Sequence, residues 1–89
     1  MPRATVNPIM KVKIRSPFKG YFDGVAQSLS AVNETGPFDI LPRHKNFMTL
    51  LKPRTRLIVR QPGQADFKMI VSRGVMHVKA NQVTVFLDV

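Results

Sequence analysis

No cysteine occurs anywhere in the 89 residues. Disulfide staples and thiolate metal ligands are therefore excluded, and compartment is left open. Long apolar runs are missing too: nothing approaches the roughly 20 residues that span a bilayer. Met1 to Pro8 has no apolar core of the kind a signal peptide carries. Acid is scarce, limited to Asp23, Glu34, Asp39, Asp66 and Asp88, so paired carboxylates for acid–base chemistry find no local source. The five glycines are isolated turn formers that never make a G-x-G-x-x-G or phosphate loop. Ser16, Ser28, Ser30 and Ser72 lack the strand-turn-helix setting of a nucleophile elbow. Together these gaps argue against an enzyme and against a bound metal or cofactor.

What is present is positive charge. Fourteen Lys and Arg stand against the five acids, a formal charge of +9. Such an excess attracts phosphate backbones, anionic lipid or acidic protein patches through its long-range field. The cations are dispersed, with Lys11, Lys13 and Arg15 early, Arg54, Arg56 and Arg60 midway, and Lys68, Arg73 and Lys79 late. This is not a basic tail.

Periodicity points to strands. Met10, Val12 and Ile14 alternate with Lys11, Lys13 and Arg15, which predicts one buried and one wet face, ended by Ser16-Pro17. Tyr21 to Gly24 reads as a short aromatic strand or turn. Val25 to Val32 reads as continuous extended chain with Val25, Gln27, Leu29 and Ala31 on one face. Asn33-Glu34-Thr35-Gly36 has the composition of a hairpin turn. The return strand is expected over Gly36 to His44, where Pro42 presses Leu41 into an extended conformation. Asn46 to Leu51 fits a short strand stopped by Pro53. Thr55 to Arg60 and Phe67 to Val71 alternate around Gln61-Pro62-Gly63-Gln64, a type II turn. Val75 to Lys79 and Val83 to Val89 flank a turn at Ala80-Asn81-Gln82.

Turn signals thus recur every eight to twelve residues without a helical stretch. The expectation is an all-β fold: an antiparallel two-sheet sandwich or flattened barrel of about eight to ten short strands. A flexible N-terminal arm over 1–9 would precede a single domain over 10–89. Most of the rings (Phe18, Tyr21, Phe22, Phe38, Phe47, Phe67 and Phe86) are expected in the core, with Phe38 and Phe47 beside the Pro42 loop left open. His77 reads as an ordinary sheet residue. His44 has two readings, an exposed loop histidine or a contact residue. Loops held between strands are where binding sits, so Gly36 to His44 is the candidate region.

The order of motifs resembles the N-terminal β-sandwich domain of the epsilon subunit of F-type ATP synthases, called delta in mitochondria. Lys13-Ile14-Arg15-Ser16-Pro17 leads to Phe22-Asp23-Gly24, and a hairpin delivers Gly36 to His44. Phe47 to Pro53, Ser72-Arg73-Gly74-Val75 and Asn81-Gln82-Val83-Thr84-Val85-Phe86 follow in the family's order. The likeness runs from about Met10 to Val89. It departs at Arg43, where many members have glycine, at Asp39, where glycine is common, and at Pro37, where a carboxylate is frequent.

This resemblance implies a non-catalytic central-stalk (rotor) subunit that links the gamma subunit to the membrane c-ring during proton-driven ATP synthesis. It implies a c-ring-facing tip at Glu34, Thr35, Gly36 and Pro37. It implies a gamma-facing surface of Ser16, Phe38, Pro42, Arg43, His44, Phe47 and Met48. The expected location is peripheral, at the cytoplasmic face of the energy-coupling membrane, without insertion and without specific nucleic-acid binding. Many members continue into two C-terminal helices where this sequence stops. Either the sequence is a naturally short form or it is a piece of a longer protein, and a naturally short form would assemble into the rotor without the function of that hairpin. The competing reading is a small basic β-barrel that binds nucleic acid non-specifically, and simple adhesion to anionic membrane is a third.

Overall fold

The computed structural model describes residues 9–88. Nine strands follow the turn signals: β1 Met10–Arg15, β2 Gly20–Ala26, β3 Ser28–Asn33, β4 Gly36–Ile40, β5 Phe47–Leu51, β6 Thr55–Arg60, β7 Phe67–Val71, β8 Gly74–Lys79 and β9 Gln82–Leu87. They form a five-stranded sheet in the order β2-β1-β9-β8-β5 and a four-stranded sheet in the order β4-β3-β6-β7. The all-β sandwich expected from the alternation is what the chain adopts. One pairing departs from the antiparallel expectation: β1 runs parallel to β9, with Lys11 opposite Gln82 and Arg15 opposite Phe86. Parallel neighbours need a long connection, and these two strands are separated by the rest of the domain.

Met10, Val12 and Ile14 turn inward from β1, as their spacing predicts. They meet Ala26, Leu51, Met76, Val78, Val83, Val85 and Leu87 of their own sheet and Leu29, Ala31, Ile40, Leu57, Val59 and Val71 of the other. Each large aliphatic side chain so buried contributes roughly 1.5–3 kcal/mol.

Three expectations need correction. Val25 to Val32 is not one strand. The chain leaves the first sheet after Ala26, and the Gln27 N–H donates to the Arg60 carbonyl at 2.8 Å on the second. Ala26 and Leu29 are both buried, so the buried phase shifts by one residue and leaves Val25 and Gln27 outside. The return strand ends at Ile40, not His44, because Leu41 to His44 closes a turn. The rings do not form the core either. Phe18 is 96% exposed, Phe86 is exposed, and the other five are half-buried. Of the expected arm, only Ile9 lies among the described residues.

The half-buried rings close the sandwich at its sides. Phe22 of β2 meets Phe67 of β7 with centroids 5.0 Å apart. Phe38 of β4 meets Phe47 of β5 at 5.9 Å, edge to face. Each pair joins an edge strand of one sheet to an edge strand of the other, where aliphatic side chains would leave an open seam.

Gly74 starts β8 opposite Leu87. A Cβ there would stand 2.8 Å from both the Phe86 carbonyl oxygen and Leu87 Cδ2. Gly74→Ala should therefore lower stability by about 1–3 kcal/mol, because sheet backbone must shift. Urea titration checks this, and an unchanged midpoint would contradict the tight packing.

Candidate functional site

Among the described residues no group of three or more His, Asp or Glu side chains could hold a metal ion. The strands set where each residue singled out from the sequence lies.

The Pro42 loop is a tight turn. The His44 N–H donates to the Leu41 carbonyl at 3.1 Å, and Arg43 takes φ 68°. Proline followed by a residue with positive φ is the type II pattern, whose third position favours glycine. Lys52-Pro53-Arg54-Thr55 repeats it with Arg54 at φ 63°. Asn81 pins the first of these turns. Its Oδ1 accepts from the Arg43 N–H and its Nδ2 donates to the Ile9 carbonyl, both at 2.8 Å. Asn81 itself sits at φ 62° beside Ala80 at φ 52°, in the two-residue turn between β8 and β9. One side chain thus ties three chain segments at one end of the sandwich.

His44 stands inside this frame. Its Nδ1 lies 2.7 Å from the Lys45 carbonyl, a distance that calls for the Nδ1–H tautomer as donor. Its ring meets Phe47 edge to face at 5.5 Å, extending the Phe38–Phe47 pair into a run of three rings. Phe47 points between the sheets, whereas Met48, one residue on, points outward at 66% exposure. Leu41, 56% exposed, flanks the turn. The structure therefore gathers Phe38, Pro42, Arg43, His44 and Phe47, with Met48 on the adjoining outer face.

Ser16 is elsewhere. It follows the far end of β1, on the order of 20 Å along the strand from Met10. Only 5% of it is exposed. Its Oγ accepts from the N–H groups of Phe18 and Lys19, holding a turn that thrusts Phe18 into solvent. Ser16 shapes that corner, and Phe18 is the residue a partner could touch there.

The hairpin tip shares the Ser16 end. Asn33 and Gly36 are paired around Glu34-Thr35, with Gly36 at φ 120°. Asn33 Oδ1 accepts from the Thr35 N–H at 3.0 Å and from its hydroxyl at 2.7 Å, and Asn33 Nδ2 donates to Thr49 Oγ1 at 3.2 Å. Pro37 follows with no backbone donor on the outer edge. Asp39 is explained by its partner: its carboxylate accepts from the Ser30 hydroxyl, which itself accepts from Arg60.

Sequence reasoning missed the outward apolar residues Leu50 and Phe86. The signal was available in Phe47 to Leu51, where no charge interrupts the apolar residues and one face of the strand had to turn outward. Asn81 was read only as a turn residue, because hydrogen bonds to Ile9 and Arg43 depend on tertiary contact.

Comparison with known proteins decides the family. The model described as "ATP synthase, Delta/Epsilon chain, beta-sandwich domain" matches residues 9–89. The chain belongs to this family. It is 37% identical over 81 residues to the ATP synthase epsilon chain of Laribacter hongkongensis, covering 90% of this chain and 57% of that one. It is 39% identical over 79 residues to that of Nitrosococcus oceani, covering 89% and 56%. The chain therefore spans little more than half the length of these relatives. In fold it is similar to a chain of the Euglena gracilis mitochondrial ATP synthase, with a TM-score of 0.82 at 15% identity, covering 97% of this chain and 54% of that chain. A chain of the Tetrahymena thermophila mitochondrial central stalk and c-ring structure gives a TM-score of 0.71 at 22% identity, covering 88% and 62%.

Arg43→Gly should raise stability by about 0.5–1 kcal/mol, since it relieves the left-handed conformation at some cost in unfolded-chain entropy. Asn81→Ala should lower it by about 1–3 kcal/mol, because the Arg43 and Ile9 groups lose their partner. Thermal and urea unfolding of the two variants read out both signs. An Arg43→Gly variant less stable than the parent would show that the arginine side chain outweighs the backbone effect.

Proposed function

We propose that this chain is the β-sandwich part of a non-catalytic central-stalk subunit of an F-type ATP synthase, joining the gamma subunit to the c-ring during proton-driven ATP synthesis. The observation that carries the reading is the family match across residues 9–89, reinforced by relatives named ATP synthase epsilon chain. The likeness in fold to a chain from a central stalk and c-ring assembly is consistent with it. A rotor element must pass torque without deforming, and two sheets sewn together at both sides by ring pairs are suited to that.

On this reading the Phe38–Phe47–His44 run, the Pro42-Arg43 turn and the outward Met48 face gamma. The Glu34 to Pro37 tip faces the polar loops of the c-ring, with Phe18 at the same end. The subunit is peripheral, on the cytoplasmic face of the energy-coupling membrane, and no described helix is long and apolar enough to cross it. The rival nucleic-acid reading needs exposed rings along a basic groove. Here Phe22, Phe67, Phe38 and Phe47 are engaged in closing the sandwich, which leaves Phe18, Phe86 and the half-buried Tyr21, its ring under Lys19, on three separate elements. Binding to DNA or RNA should therefore be non-specific and fall by orders of magnitude between about 50 and 200 mM salt.

The test is capture of the gamma subunit from the same organism. Met48→Asp and His44→Asp should each stay folded and weaken capture about tenfold or more, as removal of an interface anchor does. Phe47→Asp should unfold more readily than either, because its ring packs against Phe38 and His44. Failure of the parent chain to capture gamma would sink the stalk reading. Full capture by both folded variants would move the gamma surface away from the Pro42 loop.

A further inference from the structure

At the Ser16 end of β1 the pairing with β2 slips by one residue. Ile14 stands opposite Phe22 and Arg15 opposite Gly20, so Tyr21 is the extra residue of a bulge. Beside the bulge lies a concavity of about 420 Å³ whose lining includes Lys13, Arg15, Tyr21 and Asp23. Lys13 and Arg15 point outward two residues apart, which sets their Cα atoms about 6–7 Å from each other. Arg15 is tethered through Nε to the Ser16 carbonyl at 3.4 Å, which leaves its η-amino groups for a ligand. Lys19 adds a third cation, its Nζ 5.1 Å from the centroid of the Tyr21 ring. Asp23, opposite Lys13, is the one carboxylate on the lining. Three cations against one acid favour an anion there.

In the corner beside these groups Phe18 is 96% exposed. Its backbone is braced, because Ser16 Oγ accepts from the Phe18 and Lys19 N–H groups and the Ser16 N–H donates to the Lys19 carbonyl at 2.8 Å. A ring fixed in water does nothing for the isolated domain. Its neighbours in the corner are Pro17, Lys19 and Gly20, so it lacks the apolar surround in which anchors of protein interfaces sit. The boundary of an anionic bilayer matches the corner better: phosphate for the cations, and an apolar layer close by for one ring. Lys52, Arg54 and Arg73 stand at the same end of the sandwich, where the acids are Glu34 and Asp88. We propose that the Ser16 corner binds the phosphate group of an anionic lipid, with Lys13, Arg15 and Lys19 taking the phosphate and Phe18 reaching the acyl boundary beside it. The site stands on its own geometry, and the stalk reading adds only that this end faces the membrane. One ring and three cations give weak, salt-sensitive adhesion. It gains effect when an assembly already holds this end near the headgroups.

Vesicles of phosphatidylglycerol mixed with phosphatidylcholine, and of phosphatidylcholine alone, test this with the full chain at about 50 and 300 mM salt. The chain contains no tryptophan, so Phe18→Trp supplies a single reporter. Its emission should move to shorter wavelength with the anionic vesicles, at low salt only. Phe18→Ser should lower partitioning about three- to tenfold, as loss of one partly immersed ring does. Arg15→Gln should lower it about fivefold, the effect of one cation at an anionic leaflet. Arg56→Gln, the same change on the outer face of the other sheet, should stay within about twofold. All three side chains are exposed, so melting curves should coincide with that of the parent. Vesicle binding without the emission shift overturns the proposal, and so does equal loss from Arg15→Gln and Arg56→Gln, since bulk charge would then suffice. Glycerol phosphate bound equally by the parent and Phe18→Ser, with no partitioning to vesicles, would make the concavity a site for soluble phosphate and overturn the lipid assignment. Phe18-dependent capture of a lipid-depleted c-ring in detergent, again without vesicle partitioning, would give the ring to a protein contact instead. None of these results depends on gamma capture, so failure here leaves the stalk reading intact.

Discussion

Everything in this domain depends on keeping water out of a thin aliphatic layer between two sheets. The layer is made of Val, Leu, Ile, Met and Ala, and no ring lies fully within it. Short side chains let the sheets approach closely, but a layer of that kind is open along both sides. The Phe22–Phe67 and Phe38–Phe47 pairs fill those openings with large flat groups set at an angle, the arrangement aromatic pairs favour. The Pro42 loop is the continuation of one such closure, because His44 packs on Phe47. The candidate interface is thus built directly on a structural seam, and its rigidity is inherited from the packing.

Much of the fold was legible because alternation and turn chemistry act locally. The inward set of β1, the Glu34-Thr35 hairpin and the Pro62-Gly63 turn all lie where the sequence puts them. The change of sheet at Gln27 was not legible, since its cause is a hydrogen bond to Arg60 on a strand far along the chain. The rings misled for a related reason. Hydrophobicity assigns a phenylalanine to the interior, but whether it fills the middle or the side of a sandwich depends on which strand ends up at an edge.

The site was legible in part. The stretch around Pro42 was singled out, but as a strand running on to His44; the structure turns the chain after Ile40 and adds why arginine is tolerated there, since the Asn81 side-chain oxygen holds its backbone N–H in place. Ser16 was singled out as a contact, and the structure shows its hydroxyl oxygen bracing the Phe18 corner. Leu50 could be found in the uninterrupted apolar run of β5, but its place beside Val75 of β8 and Phe86 of β9 on one outer face could not. Each strand contributes one or two residues that look ordinary alone, and only register assembles them.

The parallel pairing of β1 with β9 has a consequence for how the domain is made. The middle strand of the five-stranded sheet is β9, the last of the nine described strands in chain order. Until it arrives, β1 can hold only β2, and β8 lacks its connection to both. The nascent chain must therefore carry exposed apolar strands until β9 has been made, with closure delayed by the long connection between β1 and β9. A strongly cationic sequence is an asset during that wait, because mutual repulsion keeps unfinished chains apart.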